Sequence, residues 1–346
     1  MEDHSELPVI DLKKARDKTQ RLQVARELVR ALETVGFLYI DNAPGVDLET
    51  LLKNCDTFFA LSSVEKHMLA KQKWNPLNKN KYRGYFPLQP GESSYKEGFE
   101  IGVEDCPFND PDIHPMFTEP NLWPRYMDGF DEFLRDMQQY YKAILNTGTE
   151  ILRLLALGSG LDEYWFESMF LPDTLSTLRL LHYPLRPSTP PDTARDGDTV
   201  LCCSEHSDSG FVTLLATFHY RGLQILNQND KWVDVEPRPN SLVMNIGDIL
   251  SKTSNGRFKA TRHRVVETGM DRYSVPFFFE PRYGAEIGRM IPFVQDVGKN
   301  MTVTATSTDM TTVDQGMKYG PWLIGKMQQF LEYRHILTSF PVTTAA

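Results

Sequence analysis

The chain has 346 residues, of which 41% are hydrophobic and 24% charged, so it contains enough apolar material for a sizeable core. The formal net charge is −9 without basic runs, which argues against nucleic acid or an anionic membrane surface as the main partner. Four cysteines without CxxC spacing, no secretory leader and no membrane-spanning stretch lead us to expect a cytoplasmic protein.

The first forty residues predict a strand, a helix and a second strand. After the short apolar segment 7–12, apolar residues recur every three to four positions, as they do on one face of a helix. These residues are Leu22, Ala25, Leu28, Leu32 and Val35. Gly36 ends the pattern, and residues 37–40 form a β-type run.

The middle of the chain, from about residue 105 to residue 170, is predicted to be mostly helical. Pro124 opens an apolar stripe, and the run 151–157 continues it until Gly158 and Gly160. The stripe consists of Met127, Phe130, Phe133, Met137 and Tyr140.

After residue 175 the pattern changes to short β-type runs separated by turn residues. The runs cover residues 176–183, 199–203, 211–217, 223–226, 231–235, 241–246, 261–267 and 272–280. Many short strands at this spacing are typical of a sandwich or jelly roll, whose mouth suits a ligand site. Segment 186–198, rich in Pro, Ser, Thr and Asp, is predicted to be an exposed loop. A last helix is predicted from the stripe Trp322, Ile324, Met327, Phe330 and Leu331.

His206 and Asp208 are separated by one residue in this β-rich stretch, and positions i and i+2 of a strand point to the same face. His263 follows at the end of another β-type run. Two imidazoles and one carboxylate match the facial triad that holds Fe(II) in non-haem oxygenases. The His-x-Asp pair alone is a weak signal, and the alternative is a histidine satisfied by a neighbouring carboxylate.

Arg272 and Ser274 also share one strand face. A guanidinium fork and a hydroxyl are what a buried carboxylate needs for bidentate pairing and one more hydrogen bond. On its own this pair is equally compatible with a surface strand. Together with the three candidate metal ligands it predicts a second carboxylate anchor beside a metal.

The sequence resembles the isopenicillin N synthase-like branch of the 2-oxoglutarate- and Fe(II)-dependent dioxygenases over nearly its whole length. The resembling segments are 7–12, 36–37, 58–61, 65–66, 83–85, 96–102, 178–184, 205–210, 213–215, 222–224, 245–248, 263–266 and 272–274. The specific parts are the metal triad and the Arg-x-Ser pair, and the other segments mainly reflect the fold.

The resemblance implies a protein that is mainly β with flanking helices, built on a distorted double-stranded β-helix or jelly roll. We expect one compact unit with an N-terminal α/β region (1–120), a helical support (121–174), the jelly-roll core (175–285) and a C-terminal helical segment (286–346). The resemblance also implies that iron is held by three ligands, namely His206, Asp208 and His263.

For the cosubstrate, the resemblance implies that the distal carboxylate of 2-oxoglutarate pairs with Arg272 and Ser274 and takes a further hydrogen bond from Tyr183. The chain departs from the plant-type pattern in two places. Leu181 stands where Asn-x-Tyr has its Asn, so one cosubstrate contact is expected to be missing. Arg221 stands where the usual Gly-Gly-Leu-Gln has its first Gly.

Strand alternation from Tyr183 points Arg179 inward, and the same alternation on the last run points Phe278 inward. An inward arginine is expensive to bury unpaired, so Arg179 is a candidate for binding an acidic or carbonyl-bearing substrate, with Phe278 as an apolar or stacking wall. The alternative pairs Arg179 with a barrel carboxylate such as Glu205 or Asp248.

The sequence thus predicts an enzyme of secondary metabolism that uses Fe(II), 2-oxoglutarate and O2, with ascorbate as activator, to oxidise a C–H bond of a small molecule. Hydroxylation is the expected outcome, with desaturation or ring closure as alternatives. Two other interpretations stay open: an Fe(II) oxidase of the same fold that uses no 2-oxoglutarate, and a non-catalytic or zinc-binding β-barrel. A zinc hydrolase would give the Arg-x-Ser pair no role. A monomer fits this sequence, which does not fix the oligomeric state.

Overall fold

The structure, a computed structural model, describes residues 7–89, 94–104, 110–187, 189–288, 290, 316–328 and 333. Within these ranges the helices are α1 (Leu12–Ala15), α2 (Arg21–Thr34), α3 (Leu48–Phe59), α4 (Ser63–Met68), α5 (Phe130–Gly158), α6 (Glu167–Phe170), α7 (Asp248–Thr253) and α8 (Tyr319–Met327). The strands before the core are β1 (Val9–Asp11), β2 (Phe37–Asp41), β3 (Gly84–Phe86) and β4 (Glu97–Gly102).

The remaining strands build the core and a small C-terminal pair. They are β5 (Thr177–Tyr183), β6 (Arg195–Asp196), β7 (Thr199–His206), β8 (Val212–Ala216), β9 (Leu223–Leu226), β10 (Trp232–Asp234), β11 (Ser241–Ile246), β12 (His263–Val266), β13 (Arg272–Phe279), β14 (Glu286–Ile287) and β15 (Met317–Lys318). Each of the eight β-type runs predicted after residue 175 contains one of these strands.

Two sheets enclose the site. The large sheet has the order β1-β2-β11-β8-β13-β5-β4-β3, and the small sheet has the order β10-β9-β12-β7-β6. Successive core strands alternate between the two sheets, except for the β9–β10 hairpin, as a double-stranded β-helix requires. Side chains of β5 and β7 meet between the sheets, because Leu181 and Tyr183 form an apolar cluster with Cys202. The predicted mainly-β jelly-roll core is therefore confirmed.

The opposite face of the large sheet is covered by helices. Helix α5 lies so close to β13 that a Cβ on Gly148 would come within 2.7 Å of the Phe279 ring. Helix α2 packs against α5 in turn. It ends where predicted, because Gly36 adopts φ +74° and its N–H bonds back to the carbonyl of Ala31. The predicted stripe was partly wrong, since Leu22 is 41% exposed while its neighbour Val24 is buried.

The predicted helical middle begins later than expected. Residues 110–129 contain only a short 3-10 turn, and α5 starts at Phe130 instead of near Pro124. Polar side chains in this segment bond to the backbone of other segments. The Asn121 amide pairs with both the N–H and the carbonyl of Gly102 on β4. Such bonds compete with helix formation, which explains the error. Residues 105–109 lie outside the described residues.

Two further predictions can be compared with the structure. Segment 186–198 is largely exposed, as expected, but it also contains a 3-10 turn and strand β6. The C-terminal helix is present as α8 with Met327 buried, whereas Phe330 and Leu331 lie outside the described residues. None of the helices in the described ranges combines the length and the apolarity needed to span a bilayer.

Candidate active site

The three candidate metal ligands converge at one end of the small sheet. His206 ends β7 and His263 begins β12, and the antiparallel register places them opposite each other, with ring centroids 4.3 Å apart. Asp208 follows two residues after β7, and its Oδ1 is 3.8 Å from Nε2 of His206 and 3.6 Å from Nε2 of His263. The three ligand atoms all lie within 4.8 Å of one another. One divalent cation can therefore contact all three on one side and leave its other side for ligands.

Both imidazoles are oriented by backbone carbonyls. Nδ1 of His206 lies 2.8 Å from the Ser204 carbonyl, and Nδ1 of His263 lies 3.1 Å from the Thr261 carbonyl. Since a carbonyl only accepts hydrogen bonds, each Nδ1 carries the proton of its ring. Each Nε2 is then a lone pair directed at Asp208, which is the form that binds a metal.

The carboxylate of Asp208 divides its two oxygens between two tasks. Oδ2 accepts hydrogen bonds from Thr213 Oγ1 at 2.6 Å and Asn245 Nδ2 at 2.7 Å, which leaves Oδ1 facing the imidazoles. Burial alone would raise the pKa of Asp208, but the imidazoles and these hydrogen bonds outweigh it and hold the pKa below its usual range. Asp208 is therefore an anion in a fixed orientation, as a metal ligand must be.

Arg272 is placed to receive a carboxylate. It begins β13, is only 5% exposed, and its Nη2 is buried with no hydrogen-bond partner among the described residues. No acidic side chain of the described ranges forms an ion pair with it. Ser274, two residues further along the same inward face, is 8% exposed. A buried guanidinium left with an unsatisfied N–H group fits a carboxylate ligand, so the site suits 2-oxoglutarate.

A glycine lets the backbone approach Arg272. A Cβ on Gly222 would lie 3.0 Å from the Val266 carbonyl and 3.4 Å from Nη2 of Arg272. Gly222 also has φ +120°, a conformation that other residues rarely adopt. Arg221, which departs from the plant-type pattern, is exposed and pairs with Glu236, so the change does not touch the site.

Tyr183 and Leu181 take the inward positions that strand alternation predicted. Tyr183 pairs across the sheet with Arg272, and Leu181 pairs with Ser274. The Arg272 guanidinium stacks 4.0 Å from the centroid of the Tyr183 ring. Burial raises the pKa of Tyr183, so its hydroxyl stays a neutral donor. The hydrogen bond from this hydroxyl to 2-oxoglutarate remains a prediction.

Arg179 and Phe278 form the other side of the cavity. The Arg179 guanidinium lies 5.1 Å from the centroid of Phe278 and 5.9 Å from that of Phe86. Its ion-pair partner is Glu100, directly opposite on β4. The expectation of a carboxylate partner was thus correct, but both residues proposed for it were wrong. Those two residues, Glu205 and Asp248, contact Arg262 and Ser207 instead.

Glu280 is a buried carboxyl group that the sequence reasoning did not single out, although alternation beyond Phe278 points it inward. It bonds to the Tyr319 hydroxyl, and its side chain fills the place that a Cβ on Gly210 would occupy. Burial raises the pKa of Glu280 to about 8, so at neutral pH it is mostly a neutral acid. It lies under the segment that carries Asp208 and stabilises that segment by accepting the Phe211 N–H.

Comparison with known proteins agrees with this geometry. Residues 175–281 match the model of the 2OG-Fe(II) oxygenase superfamily, and residues 7–126 match the N-terminal region of the non-haem dioxygenases described from morphine synthesis. Isopenicillin N synthase of Streptomyces clavuligerus is 31% identical over 83% of this chain and 88% of its own length. A "2-oxoglutarate-Fe(II) type oxidoreductase" of Aspergillus fumigatus is 32% identical over 66% of this chain and 68% of its own.

A solved structure extends the likeness to the whole fold. A full-length Neurospora crassa protein, crystallised in complex with alpha-KG and 5-formyluracil, superposes with a TM-score of 0.74 and 27% identity, covering 95% of this chain and 98% of that one. Sequence relatives, family models and fold agree with each other. The chain therefore belongs to the 2-oxoglutarate- and Fe(II)-dependent oxygenase superfamily, whose members need Fe(II), 2-oxoglutarate and O2, in the branch that contains isopenicillin N synthase.

Proposed function

We propose that this chain catalyses the 2-oxoglutarate-dependent hydroxylation of a C–H bond in a small molecule, with release of succinate and CO2. The observation that carries the proposal is the presence of two complementary anchors in one cavity. Three metal-ligand atoms of His206, Asp208 and His263 face one point, and the unsatisfied Nη2 of Arg272 lies in the same cavity. The two ends of 2-oxoglutarate would bind at these two places.

The residues of this chain would position the reactants and keep water away. Bound iron and 2-oxoglutarate supply the oxidising power when the oxo acid is decarboxylated by oxygen. Arg272 and Ser274 hold the distal carboxylate, so the oxo acid presents its other end to the metal. Leu181 and Val265 contribute apolar surface between the sheets, which limits competing reactions with water. No side chain needs to act as a general base in this scheme.

We infer that the substrate is a small, flat molecule that carries a carbonyl group. Glu100 already balances charge on Arg179, so the guanidinium offers N–H donors more than a free positive charge. Phe278 and Phe86 provide aromatic faces beside it. Glu280, held neutral by burial, adds no negative charge. The Neurospora protein of similar fold binds 5-formyluracil, which is a flat, carbonyl-bearing ring.

The test is substrate-stimulated CO2 release from labelled 2-oxoglutarate in the presence of Fe(II) and ascorbate. We expect stimulation by carbonyl-bearing heterocycles such as pyrimidine bases and not by aliphatic carboxylic acids. Arg179→Met should raise the KM of the stimulating compound while the slow turnover of 2-oxoglutarate alone stays unchanged. Stimulation by aliphatic acids only would show that the substrate class is wrong.

A second candidate is an Fe(II) oxidase that uses no 2-oxoglutarate. The observation that favours it is the 31% identity to isopenicillin N synthase over 88% of that enzyme. In such an enzyme Arg272 would bind the carboxylate of the organic substrate. Oxygen consumption that is driven by an organic substrate with 2-oxoglutarate left out of the assay would establish this alternative.

A further inference from the structure

Lys96 continues a row of side chains that crosses three strands. Glu97 pairs with His182, so Lys96, one residue before β4, follows the register towards Tyr183. Tyr183 pairs on its other side with Arg272. Lys96 also reaches across the space between the sheets, because its Nζ lies 3.6 Å from Sγ of Cys203 on β7. Its ammonium is thus inside the cavity that Arg272 lines.

The charge of Lys96 has no carboxylate partner in the described part of the chain, where Cys203 Sγ is its one hydrogen-bond partner. The residue as a whole is half-buried, but its ammonium is fully enclosed by protein. Enclosing a cation is costly unless an anion compensates it. Lys96 therefore resembles Arg272, which is also buried without an acidic partner. Two such cations on either side of one tyrosine favour a ligand with two carboxylates.

We propose that Lys96 is a second cationic contact for 2-oxoglutarate, and that it binds the carboxylate at the metal-chelating end while Arg272 binds the distal one. This inference rests on the proposed function. Leu181 cannot supply the polar contact that the Asn of related sequences occupies, and Gly98, opposite Leu181 on β4, has no side chain. Lys96, two residues before Gly98, is the next inward position on that side.

The choice of the chelating end follows from the neighbours of Lys96. Cys203, which its ammonium contacts, has its Sγ 3.9 Å from Nδ1 of His206. Lys96 therefore lies on the side of the cavity where the metal would be. Arg272 lies on the far side of Tyr183, beside Ser274. An ammonium placed near the metal can accompany a carboxylate that already binds the metal, because a carboxylate has lone pairs for both.

The test measures binding and needs no turnover. Isothermal titration calorimetry under nitrogen compares the Fe(II)-loaded wild type with Lys96→Met, Lys96→Gln and Lys96→Arg. The matched control is Lys79→Met, which alters an exposed lysine. Two ligands are titrated: 2-oxoglutarate and 2-oxopentanoate, which has the chelating end but no distal carboxylate. Removing one charge-assisted hydrogen bond should weaken both ligands about 10- to 100-fold in the Met and Gln variants.

Lys96→Arg should retain most of the affinity, and Lys79→Met all of it, while Fe(II) affinity should be unchanged throughout. Equal 2-oxoglutarate affinity in wild type and both neutral variants would overturn the proposal and leave Lys96 as a partner of Cys203 alone. A loss confined to 2-oxoglutarate would place Lys96 at the distal carboxylate and overturn it too. Wild-type protein that binds Fe(II) but no 2-oxoglutarate would instead refute the proposed function, and this role of Lys96 with it.

Discussion

Arg272→Leu is the substitution that separates an oxo-acid-dependent enzyme from an oxidase of the same fold. Arg272 is 5% exposed, and its Nη2 has no hydrogen-bond partner in the described ranges, so its fork is available to a ligand. Losing a buried, charge-assisted bidentate pair costs about 2–4 kcal/mol, or roughly 30- to 1,000-fold in affinity. Leucine fills part of the same space, so the change mainly removes the charge and the donors.

The assay measures 2-oxoglutarate consumption over a range of 2-oxoglutarate concentrations, and then the KM of the organic substrate with 2-oxoglutarate saturating. The first KM should rise by the factor above, and the second should change little, because Arg179 supplies a separate cation on the substrate side. Arg272→Lys is the companion variant. It keeps the charge but not the planar fork, so its 2-oxoglutarate KM should fall between those of wild type and Arg272→Leu.

The reasoning would be refuted by turnover that never required 2-oxoglutarate, with Arg272→Leu weakening only the organic substrate. Arg272 would then bind the substrate's own carboxylate. The unsatisfied Nη2 fits either carboxylate, so the kinetic separation of the two ligands decides between them.

Three further predictions concern the residues around the ligands. Asp208→Ala should abolish turnover and lower bound iron in metal analysis, because it removes the anionic ligand of the triad; wild-type activity would contradict the assignment. Asn245→Ala removes the 2.7 Å hydrogen bond to Asp208 Oδ2 and should weaken Fe(II) binding about 10- to 100-fold, measured by competition with a chelator. An unchanged affinity would mean that Asn245 does not orient the carboxylate. His182 lies between Glu97 and Asp271, at 2.8 and 2.9 Å, and although burial lowers its pKa, these carboxylates outweigh burial and raise it above 6.5. Its stabilisation is therefore full below about pH 6.5 and is lost as pH rises through the raised value. Denaturant titrations should show that the free energy of unfolding of wild type falls over that window more than that of His182→Gln, and parallel curves would contradict this.

Much of the core could be predicted because two simple rules apply to it. Turn residues separate the eight β-type runs, so their limits were visible in the sequence. Alternation along a strand then placed Tyr183 and Leu181 on one face and Arg272 and Ser274 on another. The same alternation, carried two residues beyond Phe278, would also have found Glu280. A glutamate at a strand end was passed over because charged residues there are usually solvated.

Strand β4 shows where such reasoning stops. Its sequence, Glu-Gly-Phe-Glu-Ile-Gly, has no clear alternation and contains two acids, yet all six residues are buried. The acids are buried because basic partners surround them. Glu97 pairs with Lys66 and His182, and Glu100 pairs with Lys71 and Arg179.

Those basic partners lie far from β4 in sequence, and no local pattern connects them. A charge is tolerated inside a protein only when its counter-charge comes with it, so the burial of β4 depends on tertiary pairing and not on hydrophobicity. For the same reason the partner of Arg179 was sought among core carboxylates, although it lies on a strand that the sequence did not predict. Lys96 precedes that strand and was missed with it. The polar residues that line a site between two sheets are therefore the ones that patterns of apolar residues predict least well.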